Sequence, residues 1–327
     1  MKQIFLYLIL FISILGCKKN EKSWTAVNNG ISNDWDNTWE SAWVNTIATQ
    51  MDNVYASVQV GTDYGATFEI GVYLSSNHGK SWTAVNNGLP HDIRVNTIAV
   101  QGNNIYAGTY ASGVYLSSNN GNNWTAINDG LPANIEVWAI AIQENNVYKG
   151  MWGKGVYLSS DTGKTWKAVN NGLNNYKITS IACQGNNIYA GTYGGGLYFS
   201  SNNGNNWIAV NNGLPESSNV MEISFQVNNI YIVSNGNIYL SRDKGSSWTA
   251  VNIQLPDYSY VHKIAVQVNN IYAGTSENGV YLSSNYGSNW TAINDGLPTK
   301  IDVWAITIQG NTIYAGTDEG VYVTSNY

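Results

Sequence analysis

The chain alternates short apolar segments with polar turns from residue 22 to its C-terminus, and no stretch has the periodicity of an amphipathic helix. A representative unit runs from Val95 to Asn128. It holds four short apolar segments, rich in Val, Ile, Tyr and Thr and separated by turns that contain Asn and Gly. Such segments are typical of β-strands joined by tight turns. Each unit therefore predicts a small four-stranded antiparallel sheet.

The unit recurs along the chain, and a tryptophan that opens a Trp-Thr-Ala-Val-Asn-like segment marks each copy. The spacings between successive marker tryptophans are 58, 42, 42, 41, 41 and 42 residues. Repeats of about 40 to 50 residues built from four strands are the signature of propeller blades. The sequence therefore predicts an all-β, seven-bladed β-propeller of four-stranded antiparallel blades. The marker tryptophans are Trp24, Trp82, Trp124, Trp166, Trp207, Trp248 and Trp290.

The two ends of the chain together supply one blade. The last segment, Val321–Tyr327, matches Val280–Tyr286 and stops before a fourth strand. The N-terminal segment Lys22–Gly30 matches Lys80–Gly88, which contains a fourth strand. We therefore expect the N-terminal strand to join the C-terminal blade and close the ring, which hides sheet edges that would invite aggregation. Residues 23–327 are predicted to form this single propeller.

The first residues have the pattern of a targeting segment. Lys2 is followed by the apolar run Ile4–Ile14 and then by Leu15-Gly16-Cys17. The run is too short for an ordinary transmembrane helix. The segment resembles the signal peptide and lipobox of bacterial lipoproteins, which are cleaved before a cysteine that is then acylated. The resemblance implies a signal peptide over residues 1–16, a lipid on Cys17 and a tether over residues 17–22. It places the protein in the bacterial cell envelope, at the outer membrane or cell surface rather than the inner membrane.

Composition narrows the possible partners and cofactors. Charged residues make up 11% of the chain, and 15 basic against 21 acidic side chains give a net charge of −6. Affinity for duplex nucleic acid rests on clustered Lys and Arg, so no nucleic-acid partner is expected. Two cysteines form neither a disulfide framework nor a metal quartet, and the three histidines occupy unrelated positions in their blades. We expect no cofactor and no bound metal.

The turn between the third and fourth strands carries the pattern Ser-x-Asx-x-Gly-x-x-Trp in six units. The Asx side chain is expected to accept hydrogen bonds from turn amides, while the glycine supplies a special backbone angle and the tryptophan packs between blades. The pattern resembles the Asp-box, or BNR repeat, of sialidase-like propellers. This resemblance implies the fold, and it places the turns opposite the face at which propellers usually bind ligands. The Asx residues are Asn77, Asn119, Asp161, Asn202, Asp243 and Asn285.

The resemblance does not extend to sialidase activity. Sialidases similar to this repeat hold the substrate carboxylate with three arginines, whereas this chain contains only Arg94 and Arg242, and Arg242 lies in an Asx turn. Two-propeller xyloglucanases are also Asp-box proteins, but they place acidic residues in a cleft between two propellers. Short stretches of each repeat look like the periplasmic sensor propellers of bacterial two-component regulators as well.

The first repeat is longer than the second by 16 residues, and this excess marks one face of the ring. Seven extra residues lie between Gly30 and Val44, and nine lie between Tyr55 and Val72. These are the fourth-to-first and second-to-third strand connections, which emerge on the same face of an antiparallel blade. Insertions gathered on one face commonly mark a binding face.

Aromatic residues outside the repeat pattern map to the same face. Flat aromatic rings on a polar, weakly charged surface suit sugar rings, because the sugar C–H faces stack on them while polar side chains bind the hydroxyls. As an alternative, Trp35 and Trp39 form a small satellite core that holds a long loop in place. The aromatic candidates for ligand contact are Trp35, Trp39, Trp43, Tyr64, Phe68, Trp138, Trp152, Tyr193 and Trp304.

Two positions at the start of the innermost strand differ from blade to blade. A regular scaffold with a non-repeating rim is a way for a symmetric ring to make an asymmetric site, so Arg94, Glu136 and His262 join the ligand-binding candidates. The alternative is drift at unconstrained solvent positions. The position just before the strand holds Trp43, Arg94, Glu136, Lys177, Asn219, Tyr260 and Asp302. Two residues further on lie Asn45, Asn96, Trp138, Thr179, Met221, His262 and Trp304.

These observations predict a monomeric, non-catalytic lipoprotein of the cell envelope whose propeller face binds a glycan or an envelope protein. One alternative is a glycoside hydrolase of the Asp-box propeller type. Such an enzyme needs two carboxyl groups about 5 to 9.5 Å apart around one sugar, for which Glu136 and Asp302 are the candidates. Another alternative is a scaffold for protein assembly at the membrane.

Overall fold

The structure, a computed structural model, describes residues 23–31, 40–62, 67–132, 135–251, 255–256 and 259–325. These ranges contain 28 strands, which form seven four-stranded antiparallel sheets. Each sheet is one blade and packs against the next around a ring, so the predicted seven-bladed all-β propeller is confirmed. In the described part of the chain, no helix is long and apolar enough to cross a membrane.

The innermost and second strands of each blade form a hairpin with a two-residue turn. The innermost strands are β2 (Glu40–Gln50), β6 (Val95–Gln101), β10 (Val137–Gln143), β14 (Ile178–Gln184), β18 (Val220–Gln226), β22 (Val261–Gln267) and β26 (Val303–Gln309). The second strands are β3 (Asn53–Thr62), β7 (Asn104–Thr109), β11 (Asn146–Met151), β15 (Asn187–Thr192), β19 (Asn229–Ser234), β23 (Asn270–Thr275) and β27 (Thr312–Thr317).

The outer half of each blade consists of a third strand and a very short fourth strand. The third strands are β4 (Thr67–Ser75), β8 (Val114–Ser117), β12 (Gly155–Ser159), β16 (Gly196–Ser200), β20 (Asn237–Ser241), β24 (Val280–Ser283) and β28 (Gly320–Ser325). The fourth strands are β1 (Thr25–Ala26), β5 (Thr83–Ala84), β9 (Thr125–Ala126), β13 (Lys167–Ala168), β17 (Ile208–Ala209), β21 (Thr249–Ala250) and β25 (Thr291–Ala292).

The N-terminal strand closes the ring as predicted. Blade 1 consists of β2–β5, each following blade takes the next four strands, and blade 7 combines β26–β28 with β1. In blade 7, Thr25 pairs with Val323 and Ala26 pairs with Tyr322 in an antiparallel register. The last blade therefore joins residues from opposite ends of the chain, and the ring has no open edge between its first and last blades.

The marker tryptophans tie each blade to the preceding one. The Trp124 indole N–H of blade 2 donates to the Val85 carbonyl oxygen of blade 1 over 2.6 Å. Every blade repeats this bond, and across the closure the Trp24 indole N–H of blade 7 donates to the Ile293 carbonyl oxygen of blade 6, also over 2.6 Å. The equivalent donors are Trp82, Trp166, Trp207, Trp248 and Trp290.

The hydrophobic core lies between the blades rather than inside any one of them. The tyrosine of each second strand is fully buried. Tyr106 of blade 2, for example, packs in one cluster with Val137 and Trp166 of blade 3. Because each cluster joins two neighbouring blades, a blade cannot bury its apolar surface alone.

The six Asx turns share one set of hydrogen bonds. In blade 1, the Ser75 hydroxyl donates to Asn77 Oδ1 and accepts from the Gly79 amide, both over 2.8 Å. The Ser81 amide also donates to Asn77 Oδ1, over 3.0 Å. Gly79 has a left-handed φ of 86°. The same bonds form around Asn119, Asp161, Asn202, Asp243 and Asn285.

Much of the extra length of the first repeat lengthens strands. The innermost strand of blade 1 begins at Glu40, four residues before Val44, which is equivalent to the first residue of the other innermost strands. The second strand runs to Thr62 and the third begins at Thr67. The second-to-third insertion is therefore a strand extension with a short connection rather than a long loop.

Blade 3 contains a buried lysine where the other blades have alanine or isoleucine. Lys149 is fully buried, and its Nζ has no hydrogen-bond partner. The nitrogen lies 4.1 Å from the centre of the Trp166 ring. Burial lowers the pKa of Lys149 to about 6. At neutral pH the folded protein therefore holds this amine uncharged, whereas the unfolded chain protonates it.

Replacing the Trp24 indole with a phenyl ring should weaken ring closure. The Trp24→Phe variant keeps an aromatic side chain but leaves the Ile293 carbonyl without its donor, which costs about 1 to 3 kcal/mol of unfolding free energy. Urea denaturation followed by circular dichroism measures this loss. Trp304→Phe, a change at an exposed ring, is the control and should cost less than about 0.5 kcal/mol. Equal losses in the two variants would contradict the closing role of this bond.

Replacing the buried lysine should stabilise the protein in a pH-dependent way. Below pH 6 the Lys149 amine is protonated in both states, so burial of its charge destabilises the folded state most. Between pH 6 and 10.5 the amine is protonated only in the unfolded state, and the resulting stabilisation of the unfolded state decreases as the pH rises. Lys149→Met should therefore raise the unfolding free energy by on the order of 4 kcal/mol near pH 7, less at pH 9, and almost nothing near pH 10.5. Denaturation across this range tests it, with exposed Lys154→Met as control. A gain independent of pH would contradict the burial of a neutral amine.

Candidate functional site

A β-bulge in every blade turns one residue of the innermost strand toward the centre of the ring. The pairing of the innermost and second strands shifts by one residue at the same place in all seven blades, for example between Val137 and Ala139 in blade 3. A bulge leaves one extra residue unpaired and re-aims its side chain. The bulged residues are Asn45, Asn96, Trp138, Thr179, Met221, His262 and Trp304.

All seven bulged residues line one central cavity of about 660 Å³. The cavity opens on the upper face, which we define as the end of the ring where the innermost strands begin and the second strands end. Its volume is within the range of small-molecule sites, about 300 to 1,000 Å³. The other lining residues are Trp43, Arg94, Tyr260, Val261, Lys263, Asp302 and Asp318.

The upper face presents its side chains in pairs. In six blades, the amide of the residue after the second strand donates to the carbonyl oxygen of the residue before the innermost strand. The Tyr193 amide thus donates to the Lys177 carbonyl over 2.9 Å, and the Trp152 amide donates to the Glu136 carbonyl over 3.1 Å. Each blade therefore contributes two adjacent side chains to the rim. The remaining pairs are Tyr110 with Arg94, Asn235 with Asn219, Ser276 with Tyr260 and Asp318 with Asp302.

The predicted site residues have three different outcomes. Trp43, Arg94, Trp138, His262, Trp304 and Asp302 line the cavity. Glu136, Trp152 and Tyr193 lie on the surrounding rim and do not line it. Trp35, Trp39, Tyr64 and Cys17 lie outside the described residues, and Phe68 lies within β4.

One aromatic group extends from the cavity wall across blades 3 and 4. The ring centres of Trp138 and Trp152 are 5.7 Å apart, and those of Trp152 and Tyr193 are 5.3 Å apart. The Lys177 ammonium lies over both outer rings, 5.3 Å from the centre of Trp152 and 5.8 Å from that of Tyr193. Trp138 also donates its indole N–H to the Glu136 carboxylate over 3.4 Å. These contacts form a continuous aromatic surface from the rim into the cavity.

A second aromatic group forms the wall of blades 6 and 7. His262 stacks on Trp304 with ring centres 4.1 Å apart, and Tyr260 lies 5.4 Å from His262. Burial lowers the pKa of His262, although the nearby Asp302 carboxylate acts in the opposite direction. His262 Nε2 has no hydrogen-bond partner. A neutral imidazole on an aromatic ring leaves this wall apolar, and its unpartnered nitrogen is buried.

Two carboxyl groups lie side by side in blade 7. The Asp302 amide donates to Asp318 Oδ1 over 3.1 Å, and the Asp318 amide donates to the Asp302 carbonyl oxygen over 3.3 Å. Asp302 Oδ1 also accepts from the Glu277 amide over 2.9 Å. Burial raises the pKa of Asp318, and the Asp302 charge adds to this effect. The pair thus combines a side chain held by the Glu277 amide with a carboxyl group that protonates more readily than usual.

Asp318 is the site residue that sequence reasoning missed. It follows the second strand of blade 7, the position that Trp152 and Tyr193 hold in their blades. Comparing that loop position across all repeats would have found it. The sequence instead suggested Glu136 as the partner of Asp302, but Glu136 belongs to blade 3 and lies outside the cavity lining.

Cations on the upper face contact aromatic or acidic groups. The Arg94 guanidinium lies 5.5 Å from the centre of the Tyr110 ring. Lys263 forms an ion pair with Glu222 of the neighbouring blade.

Across the described ranges, no three His, Cys, Asp or Glu side chains are grouped closely enough to hold a metal ion. The free thiol of Cys183 is half-buried, and burial raises its pKa to about 12.

Comparison with protein families agrees on the propeller fold. The model of the DUF6242 beta propeller domain matches residues 179–317, from the innermost strand of blade 4 to the second strand of blade 7. No curated protein matches the sequence.

Solved propeller structures are similar in shape and distant in sequence. The extracellular domain of BT4673 from B. thetaiotaomicron, described as a hybrid two component system, is 18% identical with a TM-score of 0.69. That match covers 94% of this chain and only 40% of the other. The GH74 xyloglucanase from Xanthomonas campestris is 17% identical with a TM-score of 0.68, and the match covers 93% of this chain and 54% of the xyloglucanase. YCF48 from Cyanidioschyzon merolae is 14% identical with a TM-score of 0.65, and the match covers 93% of this chain and 98% of YCF48. At these identities the likeness shows a shared propeller fold.

Proposed function

We propose that the upper face binds a glycan in its central cavity and along the adjoining aromatic rim, without catalysing a reaction. The observation that carries this proposal is the cavity itself, whose wall contains both tryptophan rings and hydrogen-bonding side chains. Trp43 is 47% exposed and Trp304 is 36% exposed, although both side chains are large and apolar. Exposed rings of this kind, gathered around one concave site, are typical of ligand contacts rather than of packing.

The polar groups around the rings suit the hydroxyl groups of a sugar. Asn45, Asn96 and Thr179 line the cavity between the aromatic walls. Their side chains offer both donors and acceptors, as a ring of sugar hydroxyls requires. A sugar that stacks on Trp304 would lie beside Asp302, whose carboxylate is an acceptor. The cavity therefore provides stacking surfaces and hydrogen-bonding groups at the same place.

The proposed location of this binding is the bacterial cell envelope. The lipobox-like segment that ends at Cys17 supports lipid anchoring at the outer membrane or cell surface. The extracellular position of the BT4673 domain fits the same location. A surface lipoprotein with a sugar-binding face would retain glycans near the cell envelope.

A glycan array with the soluble protein starting at Lys18 tests the proposal. We expect the parent to bind at least one glycan class and Trp304→Ala to weaken that binding by about tenfold or more, since buried aromatic contacts dominate binding energies. Trp43→Ala should also weaken it. Affinities of the three proteins for the same glycan give the comparison.

Tyr286→Ala is the matched control for these variants. The exposed fraction of Tyr286 is 39%, similar to the 36% of Trp304, but Tyr286 belongs to an Asx turn at the other end of the ring. Its replacement should leave glycan binding unchanged. Failure of the parent to bind any glycan would overturn the proposal and favour a protein-assembly scaffold instead.

A second candidate function is glycoside hydrolysis, which the carboxyl pair of blade 7 favours. A glycosidase needs one carboxyl group that stays protonated and another that stays ionised. Asp318, with its raised pKa, suits the acid, and Asp302 is the second carboxyl group beside it. The shared fold with the GH74 xyloglucanase makes this a reasonable second test.

Release of reducing ends from the glycan bound most tightly on the array measures hydrolysis. Under this alternative, Asp318→Asn should lower the rate by at least about a hundredfold, since general acids contribute about 10² to 10⁴, while binding persists. Glu136→Gln is the control for a rim carboxylate outside the cavity and should retain the rate. No release by the parent, with intact binding, supports the non-catalytic proposal.

A further inference from the structure

The lower face carries a separate groove between blades 5 and 6. We define this face as the end of the ring that bears the innermost hairpin turns and the Asx turns. The groove has a volume of about 460 Å³. It is lined by Arg242 and Tyr286 of two Asx turns and by six hairpin residues, Gln226, Val227, Asn228, Asn229, Val268 and Asn269. No residue of this groove belongs to the central cavity.

A glutamine in this groove lacks the hydrogen bond that four of its six equivalents make. In blade 4, the Gln184 side-chain amide donates to the Val227 carbonyl of the next hairpin turn over 2.9 Å. In blade 6, Gln267 donates to the Gly310 carbonyl over 3.0 Å. Gln226 of blade 5 makes no such bond to the turn of blade 6, and its Nε2 has no partner although the residue is only 7% exposed.

A buried amide without a hydrogen-bond partner destabilises the folded state, and an acceptor from another molecule would remove this effect. Gln226 Oε1 already accepts from the Tyr231 hydroxyl over 3.2 Å, which fixes the orientation of the side chain. The two N–H groups of Nε2 therefore have no acceptor within the described protein, and Gln226 lines the groove. Leaving such a donor unsatisfied destabilises the folded protein, and a ligand oxygen would satisfy it.

Two valines beside this donor adopt a backbone conformation that valine rarely takes. Val227 and Val268 both have φ of 53°, in the left-handed region, and are 83% and 77% exposed. Gly185 and Gly310 hold the same turn position in blades 4 and 7. A β-branched residue at positive φ is strained. Neither valine gains burial in return, so their side chains form an exposed apolar rim on the groove.

The groove also contains one of the two arginines of the chain. None of the ion pairs among the described residues involves Arg242. The adjacent Asp243 carboxylate accepts hydrogen bonds from Ser241 and Ser247 within its own turn. The guanidinium of Arg242 is thus available for an external anion, and it matches the planar geometry of a carboxylate.

We propose that this groove binds a protein segment in which an acidic side chain lies next to an aliphatic one. The carboxylate would accept from Arg242 and from the unpartnered Gln226 amide, and the aliphatic side chain would pack between Val227 and Val268. The aliphatic rim favours a peptide, because aliphatic side chains pack against valines. Sugar rings stack instead on exposed tryptophan rings, and those lie on the upper face. The protein would then bind a glycan on one face and a protein partner on the other.

Nuclear magnetic resonance titration with the probe N-acetyl-Val-Asp-Val-amide tests the proposal on the soluble protein starting at Lys18. The peptide should shift the side-chain amide signals of Gln226 and the guanidinium signal of Arg242 in a saturable way. The Asn counterpart, N-acetyl-Val-Asn-Val-amide, should bind about tenfold more weakly, because charge-assisted hydrogen bonds are roughly twice as strong as neutral ones. In Arg242→Gln the two peptides should bind equally.

Val227→Gly separates binding from folding. Glycine relieves the left-handed strain and removes the apolar contact, so the variant should melt at a higher temperature while binding the Asp peptide several-fold more weakly. A merely structural role of Val227 would not produce these opposite changes. Trp304→Ala should leave peptide binding unchanged, which keeps this test independent of glycan binding.

Three results would overturn the proposal. The first is that about 10 mM peptide produces no saturable shift of the Gln226 and Arg242 signals, which would make the affinity weaker than the millimolar range. The second is equal affinity of the parent for the Asp and Asn peptides. The third is binding of galacturonate, a carboxylate without aliphatic side chains, as tightly as the Asp peptide, since the groove would then recognise any carboxylate.

Discussion

The hydrogen bond from each marker indole to the neighbouring blade is the interaction on which the ring depends. A four-stranded blade whose fourth strand has only two residues has little pairing of its own to hold that strand. The Trp124 indole fills the gap between blades and binds the Val85 carbonyl just after the fourth strand of blade 1. The same ring therefore supplies apolar packing and satisfies a backbone acceptor. Because the contact runs from each blade to the preceding one, Trp24 at the N-terminus must bind Ile293 for the ring to close.

A regular scaffold of this kind forms its central cavity through a β-bulge that recurs in every blade. The bulge at the start of each innermost strand turns one side chain per blade into the channel, whatever that side chain is. The scaffold does not constrain the residue type, because the bulged residue takes no part in the strand ladder. Asparagine, threonine, methionine, histidine and tryptophan all occur there. The chemistry of the cavity can therefore vary while the packing between blades stays the same.

The sequence predicted the fold well and the site in part, for physical reasons that differ. Periodic tryptophans and turn residues report directly on packing, so blade number and closure followed from their spacing. The ring of bulged residues was visible as a variable position, but its common orientation into one cavity depends on a register shift that no residue pattern announces. Asp318 escaped notice because it lies in a short connection that only the repeat alignment relates to Trp152. The unpartnered amide of Gln226 was unpredictable, since the same glutamine occurs at the end of every innermost strand.

A departure from a repeat indicates function only where it meets solvent or a cavity. Lys149 departs strongly from its equivalents, yet it is sealed between blades 2 and 3 against Trp166 and reaches no open space. Met151, two residues further on, also departs from the threonine or serine that five other blades have, and it is likewise fully buried. The two changes are best understood as a local repacking of one blade interface. Val227, in contrast, retains a strained backbone without gaining any burial. Packing therefore explains the first kind of departure and leaves the second to be explained by contact with another molecule.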